Sequence, residues 1–165
     1  MKKLFIIITL IGSVTFANKS FAQSKANDIP VNNLPADVKS VLGKYIKILK
    51  SPDLDACATA FLEIAGGGLV NPNFPISLRS DIKMYSLKKD FENIKFYSDP
   101  VVITRVNVIQ SNGYGFGKTA IAGTIYKIWI KKKDGVNGMP APVQIMVPKG
   151  NAAITTPKVV NIGSF

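Results

Sequence analysis

Between Val38 and Leu49, apolar residues recur at spacings of three and four: Val38, Val41, Leu42, Tyr45, Ile48 and Leu49. One face of a helix with 3.6 residues per turn carries all six, so a helix is predicted over 35–50. Asn33 is placed to cap it, and Pro35 falls in its first turn, where a missing N–H costs nothing. Asp37 lies near the positive end of the helix dipole, and Lys44, Lys47 and Lys50 crowd the negative end. A second stripe follows almost at once: Leu54, Cys57, Ala58, Phe61, Leu62 and Ala65. Ser51-Pro52 reads as its start, and Gly66-Gly67-Gly68 as its stop. Two helices joined so closely must fold against each other, or both onto one sheet.

Residues 69–85 carry no clear period. Leu69-Val70 suggests a short strand, and Ile76, Leu78, Ile82, Met84 and Tyr85 supply scattered apolar contacts. Ser86 is placed to cap a short helix over 87–93. Leu87, Phe91 and Ile94 form its buried side, and Lys88, Lys89, Asp90 and Glu92 are expected in water. The period then changes to two. Residues 101–109 and 119–130 are rich in Val, Ile, Thr, Tyr and Trp and read as strands. Between them, Ser111-Asn112-Gly113-Tyr114-Gly115-Phe116-Gly117 forms a turn. In the first strand Val102, Thr104, Val106 and Val108 oppose Ile103, Arg105, Asn107 and Ile109. In the second, Tyr126, Ile128 and Ile130 oppose Ile125, Lys127 and Trp129, with Gly123 marking a bulge or tight bend. Neither face is purely apolar. Both are therefore expected to be covered in part, one by helices and the other by a partner chain, as in a homodimer through the sheet. Val143, Ile145 and Val147 give a third strand, and 158–162 a last one. Helices first and antiparallel strands after predict an α+β fold, with N-terminal helices packed on a curved antiparallel sheet.

The order of these elements over 35–163 resembles the nuclear-transport-factor-like fold, the cystatin/SnoaL-like or ketosteroid-isomerase-like cone. More locally, AGGGLVN (65–71), YSLKKDFENIKFY (85–97), YKIWIKKKDG (126–135), GMPAPVQI (138–145) and PKVVNIGSF (157–165) are similar to an uncharacterised family of exported bacterial proteins with no assigned activity. The cone implies a pocket between helices and sheet. Its enzymes use Asp, Tyr or His at the pocket mouth. No residue here matches an isomerase aspartate or a dehydratase His-Asp pair, so the resemblance assigns no catalytic residue. The fold alone does not give function.

The N-terminus changes the picture of location. Lys2 and Lys3 precede an apolar run over 4–16, and Ser20-Phe21-Ala22 supplies small residues at a cleavage site. This is a secretory signal over 1–22, with cleavage before Gln23; the run is shorter than the ~20 residues that span a bilayer. Residues 23–34 read as a flexible lead-in and 35–165 as one domain, in the periplasm or outside the cell. Losing three lysines with the signal lowers the formal charge of +11 but leaves it basic. For an exported chain, anionic lipid or cell-wall polymer is the nearer polyanion, and no nucleic acid is expected. The sequence has one cysteine and no histidine. Cys57 lies on an apolar stripe and reads as a core thiol. Without histidine, Ser-His-Asp, Cys-His and ordinary zinc hydrolysis drop out, and no metal or cofactor is expected.

The remaining candidates are weaker. Gly117-Lys118-Thr119 invites a phosphate-loop reading, but the glycine required five positions earlier is Asn112, and a strand pattern follows where a helix is needed. No spacing selects a catalytic pair among Asp81, Asp90, Glu92 and Asp99. Arg79-Ser80-Asp81 reads as a loop ahead of a buried ion pair. Tyr85, Tyr97, Arg105, Tyr126 and Trp129 could line a ligand pocket, weighed against ordinary packing. Lys118, Lys127, Lys131, Lys132 and Lys133 could form a basic surface, weighed against edge lysines that block aggregation. The favoured expectation is a non-catalytic exported module binding a small molecule or a protein. An Asp/Tyr isomerase or dehydratase, and an envelope protein held by anionic lipid or polysaccharide, are the alternatives.

Overall fold

The computed structural model describes residues 26–165, except 72, 74, 75, 116–119, 140, 141, 151 and 164. The predicted signal segment and Lys118 lie outside the described residues. Helices α1 (Ala36–Ile48), α2 (Leu54–Leu62) and α3 (Lys88–Asn93) pack on a five-stranded antiparallel sheet. Its strands are β1 (Asn27–Ile29), β2 (Ile103–Tyr114), β3 (Ile121–Ile130), β4 (Val143–Pro148) and β5 (Lys158–Asn161), in that spatial order. The α+β architecture is the one the change of period predicts.

Local chemistry moves several boundaries. Asn33 ends a 3-10 turn, and Pro35 itself stands at the α1 N-cap without a side-chain bond. At α2 the cap is Asp53, not Ser51: its carboxylate accepts from Ala56 N at 2.8 Å. The helix also stops at Leu62, before Ala65 can join its stripe. Residues 64–66 instead run beside β5, with Val159 N donating to Ile64 O at 2.8 Å and Gly66 N to Val159 O at 2.9 Å. Tertiary pairing overrides the helical period there. Residues 27–29, within the expected lead-in, form an edge strand against β2. Asp28 fixes it by accepting two hydrogen bonds from Arg105, at 3.0 and 3.2 Å. Ser86 caps nothing; a π-helical turn, Ile82–Leu87, runs straight into α3. Leu69 closes a 3-10 turn, and Val70 makes only an isolated bridge to Leu78.

The strand registers explain the mixed faces. Val106, Ile128, Val143, Ile145 and Val159 point to the helices and join a core with Val38, Leu42, Tyr45, Leu49, Cys57 and Phe61. On the opposite face Ile125 lies beside Ile109 and Met146. These join Ile121, Val160, Tyr114 and Ile154 in a second, smaller cluster. β3 is thus buried on one face in its first half and on the other in its second. Gly123, in the first of those halves, has φ +155°, and a Cβ there would stand 2.1 Å from the Val147 carbonyl oxygen. Only glycine permits that approach. Apolar positions on the second face are therefore covered from within the chain.

Candidate functional site

The five aromatic and arginine candidates do not converge. Arg105 and Trp129 meet on the face away from the helices, with the guanidinium 4.8 Å from the indole ring. Asp28 clamps the same guanidinium, and that bond holds its carboxyl below the usual range. Tyr126 lies on the helix-facing side against the core, its phenol pushed up first by burial and then by Asp37. Tyr85 is 75% exposed on the π-helical turn. Tyr97 is buried, its ring tilted against that of Phe165 with centroids 4.6 Å apart. The lysines diverge as well. Lys127 sits opposite Asn107 on β2 and Gln144 on β4. Lys131 pairs with Asp134 at 2.9 Å. Lys132 lies 5.8 Å from the Tyr97 ring and donates to Asn137 O at 3.2 Å. Lys133 is close enough to Asp99 to favour that carboxylate's charge. Arg79 and Asp81 form an exposed ion pair at 2.6 Å, within a segment that also bonds Gly68 O.

The helix–sheet interface holds a polar centre that periodicity misplaces. Asp90, expected in water, is fully buried. Its Oδ2 accepts from the Tyr45 hydroxyl at 2.6 Å and from Gly163 N at 2.8 Å, and its Oδ1 from Phe165 N at 2.8 Å. Burial raises the Asp90 pKa, while these three donors pull it back. Burial likewise pushes the Tyr45 phenol well above its ordinary value, with the Asp90 charge adding to it. The Cys57 thiol goes up to about 11 for the same two reasons. Phe165 fills the space beside this carboxylate, between Tyr97 and Tyr45, whose ring lies 6.0 Å away. Asn93 Nδ2 donates to Phe165 O at 2.9 Å, and Lys89 Nζ to Gly163 O at 3.1 Å. Lys89, Asp90 and Asn93 of α3 therefore form a seat that holds Gly163 and Phe165 in place. The inward turn of Asp90 leaves Lys89 and Asn93, four residues apart, on the solvent side of that seat.

A cleft of about 400 Å³ opens at this end of the interface. One wall is Lys89, Asn93 and Phe96. The other is Lys132, Val136, Asn137 and Met139, from the β3–β4 connection, and the floor is Tyr97 and Phe165. The volume is at the lower end of the ~300–1,000 Å³ of small-molecule sites. Phe96 and Met139 leave 41% and 92% of their surfaces exposed, so the rim is apolar as well. Among the described residues, no Asp or Glu side chain lines it. A smaller cleft of about 180 Å³ lies behind Tyr97, between Ile46, Lys50, Ile94 and Lys133. Of the candidates named from the residue pattern, then, Tyr97 and Lys132 are brought together; Lys89, Asn93, Phe96, Met139 and Phe165 join them, and no motif marks any of these five. The spacing of Lys89 and Asn93 is a usable signal, but nothing local predicts that Phe165 forms the floor. Among the described residues no group of three or more Cys, Asp and Glu side chains could hold a metal ion, and no helix is long and apolar enough to cross a membrane. Comparisons with protein-family models, curated proteins and solved structures gave no match to this chain.

Proposed function

We propose that the chain is an exported, non-catalytic binding module of the SnoaL-like cone kind, and that it takes a small amphipathic ligand in the end cleft. The observation that carries this reading is the cleft itself: a preformed hollow with an aromatic floor and polar groups converging from both walls. The close approach of Gly67 to the far end of β2, 3.0 Å from a Cβ position to the Tyr114 carbonyl, supports a strongly curled, cone-like sheet. An isomerase-type enzyme would need its aspartate and tyrosine facing a cavity. Asp90 and Tyr45 have that chemistry, but the carboxylate is occupied by donors of its own chain, which favours binding over catalysis.

The test is a small-molecule screen by thermal shift, followed by amide chemical-shift mapping on the chain beginning at Gln23. Hits should move the resonances of Phe96, Asn137 and Met139, and Val136→Trp, which fills the cleft, should abolish them. Hits that map elsewhere, or that survive Val136→Trp, would overturn the reading.

A further inference from the structure

Resting on the binding reading above, we infer that the ligand is an organic monoanion: a carboxylate head held between Lys89 and Lys132, with a flat apolar body against Phe96, Tyr97 and Met139. The argument begins with the acids around the cleft. Glu92 faces Lys88 at 3.9 Å, Asp134 holds Lys131 at 2.9 Å, and Asp99 holds Lys50 at 2.7 Å. Asp90 is buried and bound to three donors. The three exposed carboxylates are thus paired with lysines outside the cleft, and the buried Asp90, which feels the Lys89 charge, is hydrogen-bonded to other donors. Among the described residues, Lys89 and Lys132 donate to neutral main-chain oxygens, Gly163 O at 3.1 Å and Asn137 O at 3.2 Å.

An ammonium has three donors, so each keeps hydrogen-bonding capacity toward the cleft while its stem is held in place. A carboxylate offered to them would form charge-assisted bonds, about twice as strong as those to a neutral oxygen. The Asn93 and Asn137 side chains give further polar contacts without opposing charge. The same arrangement disfavours a cation: among the described lining residues a ligand amine would meet two ammoniums and no Asp or Glu side chain. The aromatic floor then sets the body of the ligand. Tyr97 and Phe165 present ring surface, Phe96 and Met139 add exposed apolar area, and Met adapts to irregular shapes.

The experiment uses three probes of matched chain length, 4-phenylbutyrate, its isostere 4-phenylbutyramide and 4-phenylbutylamine, with inorganic phosphate as a bare anion. Affinity is read by amide chemical-shift titration of the chain beginning at Gln23. The butyrate should bind in the cleft about tenfold more tightly than the amide. The amine should not bind, and raising salt should weaken the butyrate alone. Lys89→Met and Lys132→Met should each remove most of the difference between butyrate and amide. Lys88→Met and Lys131→Met, whose charges face acids outside the cleft, should leave it intact. Equal cleft affinity for butyrate and amide would overturn the anionic head while leaving the binding reading standing. Phosphate binding as tightly as butyrate would overturn the apolar body. Shifts from none of the four probes in the cleft would overturn both readings together.

Discussion

Replacing Asp90 tests the polar centre most directly. In Asp90→Ala the Tyr45 hydroxyl, Gly163 N and Phe165 N lose their acceptor at a fully buried position. A buried donor left without a partner costs about 1–3 kcal/mol. Relief of the carboxylate's own desolvation offsets part of the three penalties, so a net loss of about 3–5 kcal/mol is expected, at the low end of their sum. Against a typical stability of about 5–15 kcal/mol, that is a large fraction. Asp90→Asn sharpens the test because it keeps shape and volume. Its amide would turn two N–H groups toward a site that already holds three donors, so it too should be strongly destabilised. Tyr45→Phe removes one charge-assisted bond and should cost about 1.5–3 kcal/mol. Urea denaturation followed through the fluorescence of Trp129, the sole tryptophan, reads all three. Asp90→Asn unfolding at the wild-type urea midpoint would refute the reasoning, because only the hydrogen-bonding pattern separates the two side chains.

Three other outcomes follow from the same structure. With its thiol pushed up to about 11 and its side chain buried, Cys57 should be inert to Ellman's reagent at pH 8 in the native state and react at once in urea; fast native labelling would contradict its place in the core. Gly163→Ala puts a Cβ 2.9 Å from Ser86 Cβ on a residue at φ +89°, and should cost about 1–3 kcal/mol in the same urea assay; a neutral result would mean that Gly163 is not seated against the π-helical turn. Asp28 and Asp99 are held below 3.8 by Arg105 and Lys50, so their contributions are present above pH 3.8 and fade as pH falls through their folded values, whereas Asp90, raised by burial, contributes most at acid pH and loses that contribution as pH rises through its folded value. An Asp28→Asn, Asp99→Asn chain should therefore lose less stability than wild type between pH 5 and pH 2.5, and an unchanged slope would discount both ion pairs.

The helices were legible because α1 and α2 obey their local period: Val38, Leu42, Tyr45, Cys57 and Phe61 are buried where the stripes put them. β3 was legible as a strand but not as a surface. Its two half-buried faces suggested a missing partner; in the first half of β3 the second face joins Met146, Val160, Tyr114 and Ile154 of the same chain in a small cluster that the pattern did not reveal. Asp90 was misplaced because a carboxylate between Lys89 and Phe91, near Glu92, reads as solvated by every local rule. Its burial depends on donors far away along the chain. A pocket between helices and sheet was expected, but most of its lining was not legible, for a similar reason. Lys132 stood in a basic run and Tyr97 among aromatics, but what joins them is Phe165, brought in by main-chain bonds that no side-chain pattern encodes.

Those bonds have a kinetic side. Asp90 reaches back 45 residues to Tyr45 and forward 73 and 75 residues to Gly163 and Phe165. Contacts of such separation form late, since the entropy of closing long loops is lost before they reward it. A chain that emerges from its N-terminus can build α1 and α2, but it has no acceptor for the Tyr45 hydroxyl until α3 docks. It cannot satisfy Asp90 until Gly163 and Phe165 arrive. Two of the three donors of Asp90 thus come from these two residues, of which one forms part of the cleft floor, so the polar centre and the cleft floor are completed together.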